Sequence, residues 1–436
     1  SLSLSSHYQQ VINNQLFIKN RAKFMAQMKS KSIAIFNSND LFTTGADSTL
    51  PFEQHRDLFY LSGADQEESI LLLFPDAINK EHREILFLTE TNAHIAIWYG
   101  AKYSKEEAKT VSGVKTIYWL SEFNKIFYDL MTEAESVYFN TNEHYRQAEE
   151  LESREDRFIK KCKSDFPAHK WEKSNQILQH LRGIKEPEEL ELIQTACEIT
   201  NKGFRRILPF VKPGIMEYEI EAEFMHDFLR SRSDGFAYTP IIASGYSACV
   251  LHYIENNKEC KDGDMLLLDV GAKYANYSSD MTRTIPVNGR FSDRQKAIYN
   301  AVLRVKNEAT KMLSPGVLWA EYQKEVGKIM SSELVGLGLI DKTDVQNEDP
   351  NWPAYKKYFM HGTSHHMGLD THDYGALKTP MKAGMVFTVE PGIYIPEENM
   401  GIRIEDDVVV QENGLPINLM KNIPIEIEEI EDLMNS

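Results

Sequence analysis

Cysteine is scarce in this chain. The four present in 436 residues, Cys162, Cys197, Cys249 and Cys260, form no C-x-x-C pair. A secreted-type disulfide framework is therefore excluded, and free thiols in a reducing, cytoplasmic setting are expected. Basic charge is short as well, with 48 Lys and Arg against 65 Asp and Glu, a formal net charge of -17. Phosphate backbones and anionic membrane surfaces call for a basic stripe, and none is found, so neither nucleic acid nor membrane is expected as a main partner. No apolar run approaches the roughly eighteen residues of a membrane-spanning helix, and the opening SLSLSSHYQQ lacks the charged-then-apolar order of an export signal. Those first residues are set aside from fold reasoning. Low-complexity tracts and short repeats are also missing.

What is present is enough chain for two cores. Between Ser32 and about Tyr138 the short apolar runs SIAIF, SILLLF, EILFL and SVYFN recur between segments of helix length, the pattern of an α/β layer. A charged, core-poor stretch from Ser153 to Ser174 follows, and the boundary is placed at its end, giving domains 1–174 and 175–436. Beyond it, EPEELELIQTACEITNKGFRRIL has Pro187 and two Glu at its start and two Arg near its end, with Leu190, Ile193, Cys197, Phe204 and Ile207 on one face. That spacing predicts an amphipathic helix. A second helix opens at Ser292 with Gln295 three residues on, a capping box, and its stripe is Ile298, Val302, Val305 and Met312. Helices and hairpin-like strands mix here without regular alternation, so this half is expected to be α+β.

Carboxylates recur in apolar strand patterns of the second half. Asp269 closes DMLLLDV and Asp280 opens DMTRTIPV, eleven residues later, and a hairpin would bring them together. Read alone, the two would be a strand cap and a turn residue. Glu390 and Glu405 lie in FTVEPGIYI and GIRIEDDVVV, each inside a strand pattern. A buried, unpaired carboxylate is very costly; Glu390 could pair with Arg403, or all four acids could neutralise two divalent cations. With one imidazole added, such a site would suit Mn(II), Co(II), Fe(II) or Zn(II). Two ions roughly 3.5 to 4 Å apart could bridge a water, which is metal-assisted hydrolysis.

The imidazoles come from HGTSHHMGLDTHD, residues 361–373, which holds four of the chain's 13 histidines. A zinc pair of His361 and His365 on one helical face is disfavoured by Gly362 and Gly368 and by the lack of a Glu in the base position. A serine-hydrolase triad is weaker still, since neither SGYSAC nor GTSHH forms a G-x-S-x-G elbow.

Together, LLLDVGAKYANYSSDMTRT, MHGTSHHMGLDTHD, FTVEPGIYI and GIRIEDDVVV, in this order, resemble the pita-bread metallopeptidases, and most closely the aminopeptidase P family. The likeness extends to SGYSACVLHYIENN, to IKEPEELELIQTACEIT and, in the first half, to ADSTLPFEQHRDLFYLSGADQEESILLLFPD and IWYG, which resemble a creatinase-type domain. The resemblance implies a creatinase-like α/β first domain and an α+β pita-bread catalytic domain. It implies Asp269, Asp280, His365, Glu390 and Glu405 as ligands of a dinuclear centre, usually of manganese, with Asp280 and Glu405 bridging. It further implies hydrolysis of the first bond of Xaa-Pro peptides through a metal-bridging water, with Glu390 moving protons and His252, His361 and His372 contacting substrate or the tetrahedral intermediate. His366 is expected to be structural. Arg403 and Tyr394 resemble groups near the proline pocket, while Asp47 and Trp98 resemble first-domain contacts to the substrate amine and cleft wall.

Where the family usually reads RQNSD, this chain reads EQHRD, with Glu53 and Arg56 altering local charge. Peptides with proline second are the implied partners, together with further copies of the chain in a homodimer or homotetramer. Alternatives are a prolidase acting on Xaa-Pro dipeptides, and a non-catalytic pita-bread binding module. Methionine aminopeptidases generally lack the long first domain, and creatinase lacks the metal ligands.

Overall fold

A computed structural model describes residues 12–144, 146 and 151–436; the opening stretch set aside above lies outside them. The chain forms two compact units, Ser1–Arg182 and Gly183–Ser436. The division thus falls after the expected one at residue 174. Helix Asn175–Gly183 stays with the first unit because its anchors are there: Ser174 Oγ donates to the Phe139 carbonyl at 2.8 Å, and Arg182 pairs with buried Asp57 at 2.8 Å.

In the first unit, strands β1 (Ser32–Asn37), β2 (Ile70–Leu73), β3 (Glu84–Leu88), β4 (Thr116–Trp119), β5 (Ser136–Phe139) and β6 (Lys170–Lys173) form one sheet ordered β4-β3-β2-β1-β5-β6. β2 runs antiparallel to both neighbours, and the other pairings are parallel. The four apolar runs of the sequence are β1, β2, β3 and β5, the central strands, and they hold a core that includes Ile33, Leu72, Phe87 and Val137. The edge strands β4 and β6 are half-exposed; β4 is a run of only four residues, TIYW, and β6, KWEK, lies within the charged stretch read as a boundary. Glu53 and Arg56, the departures from the family pattern, form a loose pair 3.9 Å apart.

The second unit is α+β. Strands β7 (Ile241–Ser244), β8 (Met265–Val270) and β11 (Met281–Pro286) make one small sheet, with a ribbon of β9 (Lys273–Tyr274) and β10 (Tyr277–Ser278) at its turn. β12 (Val386–Val389) pairs with β15 (Asp406–Val409), which pairs with β16 (Ile417–Asn418); β13 (Gly392–Ile395) pairs with β14 (Met400–Arg403). Helix Pro187–Ile207 buries Ile193, Cys197, Phe204 and Ile207 as expected, but Leu192 takes the core place given to Leu190, which is half-buried. The Ser292–Gln295 capping box is formed in both directions, at 2.8 and 3.1 Å, and helix Asp293–Met312 buries Ile298, Val302 and Val305. Met312 is only half-buried, and Leu313 beyond the helix end fills the core in its place. Among the described residues no helix is long and apolar enough to cross a membrane.

Candidate metal centre

β8 and β11 are antiparallel, with Asp269 opposite Thr282 and Asp280 one residue ahead of β11. The arms leading into the turn cross very closely: a Cβ on Gly271 would lie 1.9 Å from the Ser279 carbonyl oxygen, so only glycine fits there. The hairpin brings the two acids to one donor. The Tyr238 hydroxyl lies 2.6 Å from Asp269 Oδ1 and 2.9 Å from Asp280 Oδ1.

Glu390 and Glu405 do not lie inside continuous strands, as their sequence patterns suggest. Each run breaks at the acid: Glu390 separates β12 from β13, and Glu405 separates β14 from β15. Tertiary hydrogen bonds replace the ladder. Glu390 N–H donates to the Thr363 carbonyl at 2.8 Å, and Glu405 exchanges backbone bonds with Thr282 at 3.0 and 3.3 Å. The breaks let carboxylates from separate sheets face one point.

One ligand atom from each of Asp280, His365, Glu390 and Glu405 falls within 4.8 Å of the others, and only Glu390 is not fully buried. His365 Nδ1 faces the His366 carbonyl at 2.8 Å and so carries its proton there. That leaves Nε2 turned into the cluster, 3.2 Å from Asp280 Oδ2 and 3.4 Å from Glu390 Oε2, without a well-aligned hydrogen bond to either. Glu405 Oε1 accepts from Thr282 Oγ1 at 2.7 Å, while its buried Oε2 has no partner.

The electrostatics of the cluster are strained. Burial, then the charges of Asp280 and Glu390, push Glu405 far above the usual carboxylate range. Burial and the Asp280 charge lift Asp269 to about 7 against the pull of Arg403. Burial also acts on Glu390, but the adjoining Glu405 carboxyl and the His365 imidazole outweigh it and hold that carboxylate below its ordinary value. For His365, burial is outweighed by Glu390 and Asp280, which raise it well above an ordinary histidine. A buried imidazole nitrogen and an orphaned carboxylate oxygen aimed at one point, amid mutually repelling acids, fit a divalent cation and its hard donor preferences. Asp269 stands beside this group of four: its Oδ2 accepts from Arg403 Nη2 at 2.8 Å. Arg403 thus pairs with Asp269 and not with Glu390.

A chain of hydrogen bonds borders the cluster. Arg403 Nη1 donates to the Tyr394 hydroxyl at 2.8 Å, which in turn lies 2.6 Å from His361 Nε2; His361 Nδ1 faces the Gly362 carbonyl at 2.9 Å. Since a carbonyl only accepts, Nδ1 holds the proton and Nε2 accepts from Tyr394. Burial lowers the pKa of His361, which favours this neutral form. His372 packs against His365, with ring centroids 4.1 Å apart and the planes tilted by 40°. His366 packs on Phe387 and Trp319, and its Nε2 reaches the Ala376 carbonyl at 3.1 Å; burial pushes its pKa down to about 4. His252 is exposed, between Leu251 and Tyr253, which pack in the cluster that contains Tyr394. Asp47 and Trp98 belong to the first unit, where both are exposed, Trp98 at 74%.

Three supporting residues escaped sequence reasoning. Tyr238 bridges the two Asp residues, Thr282 holds Glu405, and Asp407 accepts the Asp280 N–H at 2.9 Å. Thr282 and Asp407 were within quoted motifs, where their outward or inward facing was not legible. Tyr238 lies in GFAYTP, which carries no pattern that marks it.

The sequence profile of Metallopeptidase family M24 matches residues 191–412, and that of the Aminopeptidase P, N-terminal domain matches residues 17–138. Xaa-Pro aminopeptidase of Escherichia coli (strain K12) is 34% identical, over 97% of this chain and 98% of that protein. Xaa-Pro aminopeptidase 3 of Homo sapiens is 31% identical, over 91% of this chain and 79% of its own length. Among solved structures, the low-pH form of E. coli aminopeptidase P superposes with a TM-score of 0.87 at 32% identity, covering 97% of this chain and 98% of that one. Zinc-substituted E. coli aminopeptidase P in complex with product gives 0.85 at the same identity and coverage.

Proposed function

Because the chain belongs to metallopeptidase family M24, with a pita-bread catalytic domain behind an aminopeptidase P N-terminal domain, we propose that it releases the first residue from peptides whose second residue is proline. As a member of that family it is a hydrolase that uses divalent metal ions. Proline lacks an amide hydrogen and fixes its own φ, so the bond before it needs a site shaped for the ring. The observation that carries this assignment is the buried convergence of Asp280, His365, Glu390 and Glu405, with His365 Nε2 and Glu405 Oε2 both unpartnered.

These four, with Asp269 beside them, would hold two divalent ions, manganese foremost, with cobalt, zinc or iron as alternatives. When bound, such ions supply positive charge for the developing oxyanion and acidify the attacking water. The protein's own part is proton transfer and orientation. Glu390, kept ionised by its neighbours, takes a proton from the water and delivers it to the proline nitrogen as the bond breaks. His372, packed against His365, and exposed His252 are the candidate donors to the former carbonyl oxygen. With both nitrogens engaged, His361 orients Tyr394 and, through it, Arg403, at the wall where the proline ring would rest. Asp47 and Trp98 remain candidate contacts for the amino end of the substrate.

Xaa-Pro dipeptidase activity is not favoured, since the relatives named above are Xaa-Pro aminopeptidases. A non-catalytic module would have no use for four converging ligands. Assembly into a homodimer or homotetramer belongs to the same proposal, supported by helix Ala93–Tyr99, whose Ile97, Trp98 and Tyr99 are all exposed. So does a cytoplasmic setting, supported by four free thiols. The test is hydrolysis, with manganese supplied, of an Xaa-Pro-Yaa tripeptide beside an Xaa-Pro dipeptide. The tripeptide should be cut and EDTA should stop it; faster cleavage of the dipeptide would instead mark a prolidase.

A further inference from the structure

Away from the metal centre, the second unit carries a groove of about 900 Å³ between one face of helix Trp319–Gly336 and the segment 342–356. The helix lines it with Gln323, Lys324 and Lys328, and the segment with Lys342, Lys356 and Glu348. The lining is mostly apolar, and its charged groups are four lysines against one glutamate, an excess of positive charge on a chain whose net charge is -17. Lys328 is shared with Glu325 at 2.8 Å, and Lys356 lies over the Trp352 ring. Lys324 and Lys342 are exposed and, among the described residues, have no carboxylate partner.

Gln323 ties the groove to the reacting centre. Its Oε1 accepts from Thr363 N at 3.1 Å, and the Thr363 carbonyl accepts from Glu390 N at 2.8 Å. Fully buried Thr363 therefore stands between the groove wall at Gln323 and the proposed base, and the same segment carries His361 and His365. From Ala320 to Val335 the helix face runs about 22 Å at ~1.5 Å per residue, room for roughly six extended residues at ~3.3 Å each.

We propose that this groove receives the carboxyl-terminal part of longer peptide substrates and favours acidic side chains there. The assignment rests on the aminopeptidase reading, because an enzyme that trims the amino end leaves the rest of its substrate to find a path outward. Ammonium groups unmatched by local carboxylates set the preference through charge complementarity, which acts on capture more than on the chemical step.

Two nonapeptides test this, identical through Xaa-Pro-Yaa and then carrying either alternating Glu or alternating Lys. The Glu peptide should show roughly fivefold higher kcat/KM, expressed in KM, as expected of a few exposed ion pairs, and the preference should fade at high salt. Lys324→Gln with Lys342→Gln should bring the ratio to about one, and Lys324→Glu with Lys342→Glu should invert it, with circular dichroism checking the fold. Equal kcat/KM for the two peptides, or a preference that survives both double variants, overturns the groove assignment while tripeptide cleavage upholds the aminopeptidase. Absence of hydrolysis for tripeptide and nonapeptides alike overturns the aminopeptidase and the groove assignment with it.

Discussion

Asp269 and Asp280 share one hydrogen-bond donor, the Tyr238 hydroxyl, 2.6 Å from Oδ1 of the first and 2.9 Å from Oδ1 of the second. Burial and then the flanking acids push the pKa of this phenol far above its usual value, so it remains a donor at every working pH. It fixes how two like-charged groups face each other. Tyr238→Phe removes the donor and leaves the carboxylates free to turn. The expected cost is roughly 10- to 100-fold in manganese affinity or turnover, measured by titration calorimetry and peptide hydrolysis. Wild-type values in the variant would show that strand geometry alone orients the pair.

Asp280 sits at the crossing of these contacts, within reach of His365 and backed by Asp407. Asp280→Asn keeps the shape and deletes a charge. Turnover is expected to fall at least about a thousandfold, by analogy with the loss of other groups that act directly on transition-state charge, with bound metal reduced in elemental analysis. Thermal stability of the metal-free variant should hold or rise, because Asp280 is the largest charge acting on Glu405. Retained activity would remove this acid from the centre.

Behind Glu405, fully buried Arg283 donates to Asp406 Oδ1 at 2.7 Å, to the Glu405 carbonyl at 2.9 Å and to the Pro424 carbonyl at 2.8 Å. Lys306 shares the other Asp406 oxygen. Arg283→Met leaves a buried carboxylate half-neutralised and removes this donor from the Pro424 carbonyl, while the Glu405 carbonyl keeps only the Thr282 N–H. Chemical denaturation should show a loss of about 3 to 5 kcal/mol. A loss below about 1 kcal/mol would mean that water or Lys306 takes over the role.

In the first unit, burial lifts the Glu155 carboxyl from its ordinary 4.5 to about 8, outweighing the Asn37 amide that donates to it. The folded chain binds this proton more tightly than the unfolded one. Its contribution to stability is therefore full below about pH 4.5 and is lost as pH climbs through about 8. A shift of this size corresponds to a loss on the order of 5 kcal/mol. Glu155→Gln keeps an uncharged acceptor, so the difference in unfolding free energy between wild type and variant should change across that range. A pH-independent difference would place the folded pKa near its ordinary value.

The central strands of the first unit were legible because both faces are buried and the runs are continuously apolar. Edge strand β6 was not, since an edge facing water keeps polar residues and loses the signal, and β4 is too short a run, four residues, to stand out. The Ser292 capping box was readable because both of its partners lie within one turn. Glu390 and Glu405 were read as strand residues on local propensity, whereas bonds to Thr363 and Thr282, far away in sequence, interrupt both strands. Tyr238 had no local mark, and its role exists only where β8 and β11 meet it.

By itself, the sequence determined the class of each half, the identity of the acids and histidines available for chemistry, and the excess of negative charge. These follow from residue type and short-range spacing, which depend on backbone periodicity and side-chain transfer energy alone. Only the tertiary structure decided that Asp280, His365, Glu390 and Glu405 share one point, that Arg403 serves Asp269 and Tyr394, and that His361 spends both nitrogens internally. Those outcomes depend on where strands break and cross, and that is set by packing among segments more than a hundred residues apart, as between Thr282 and Glu405.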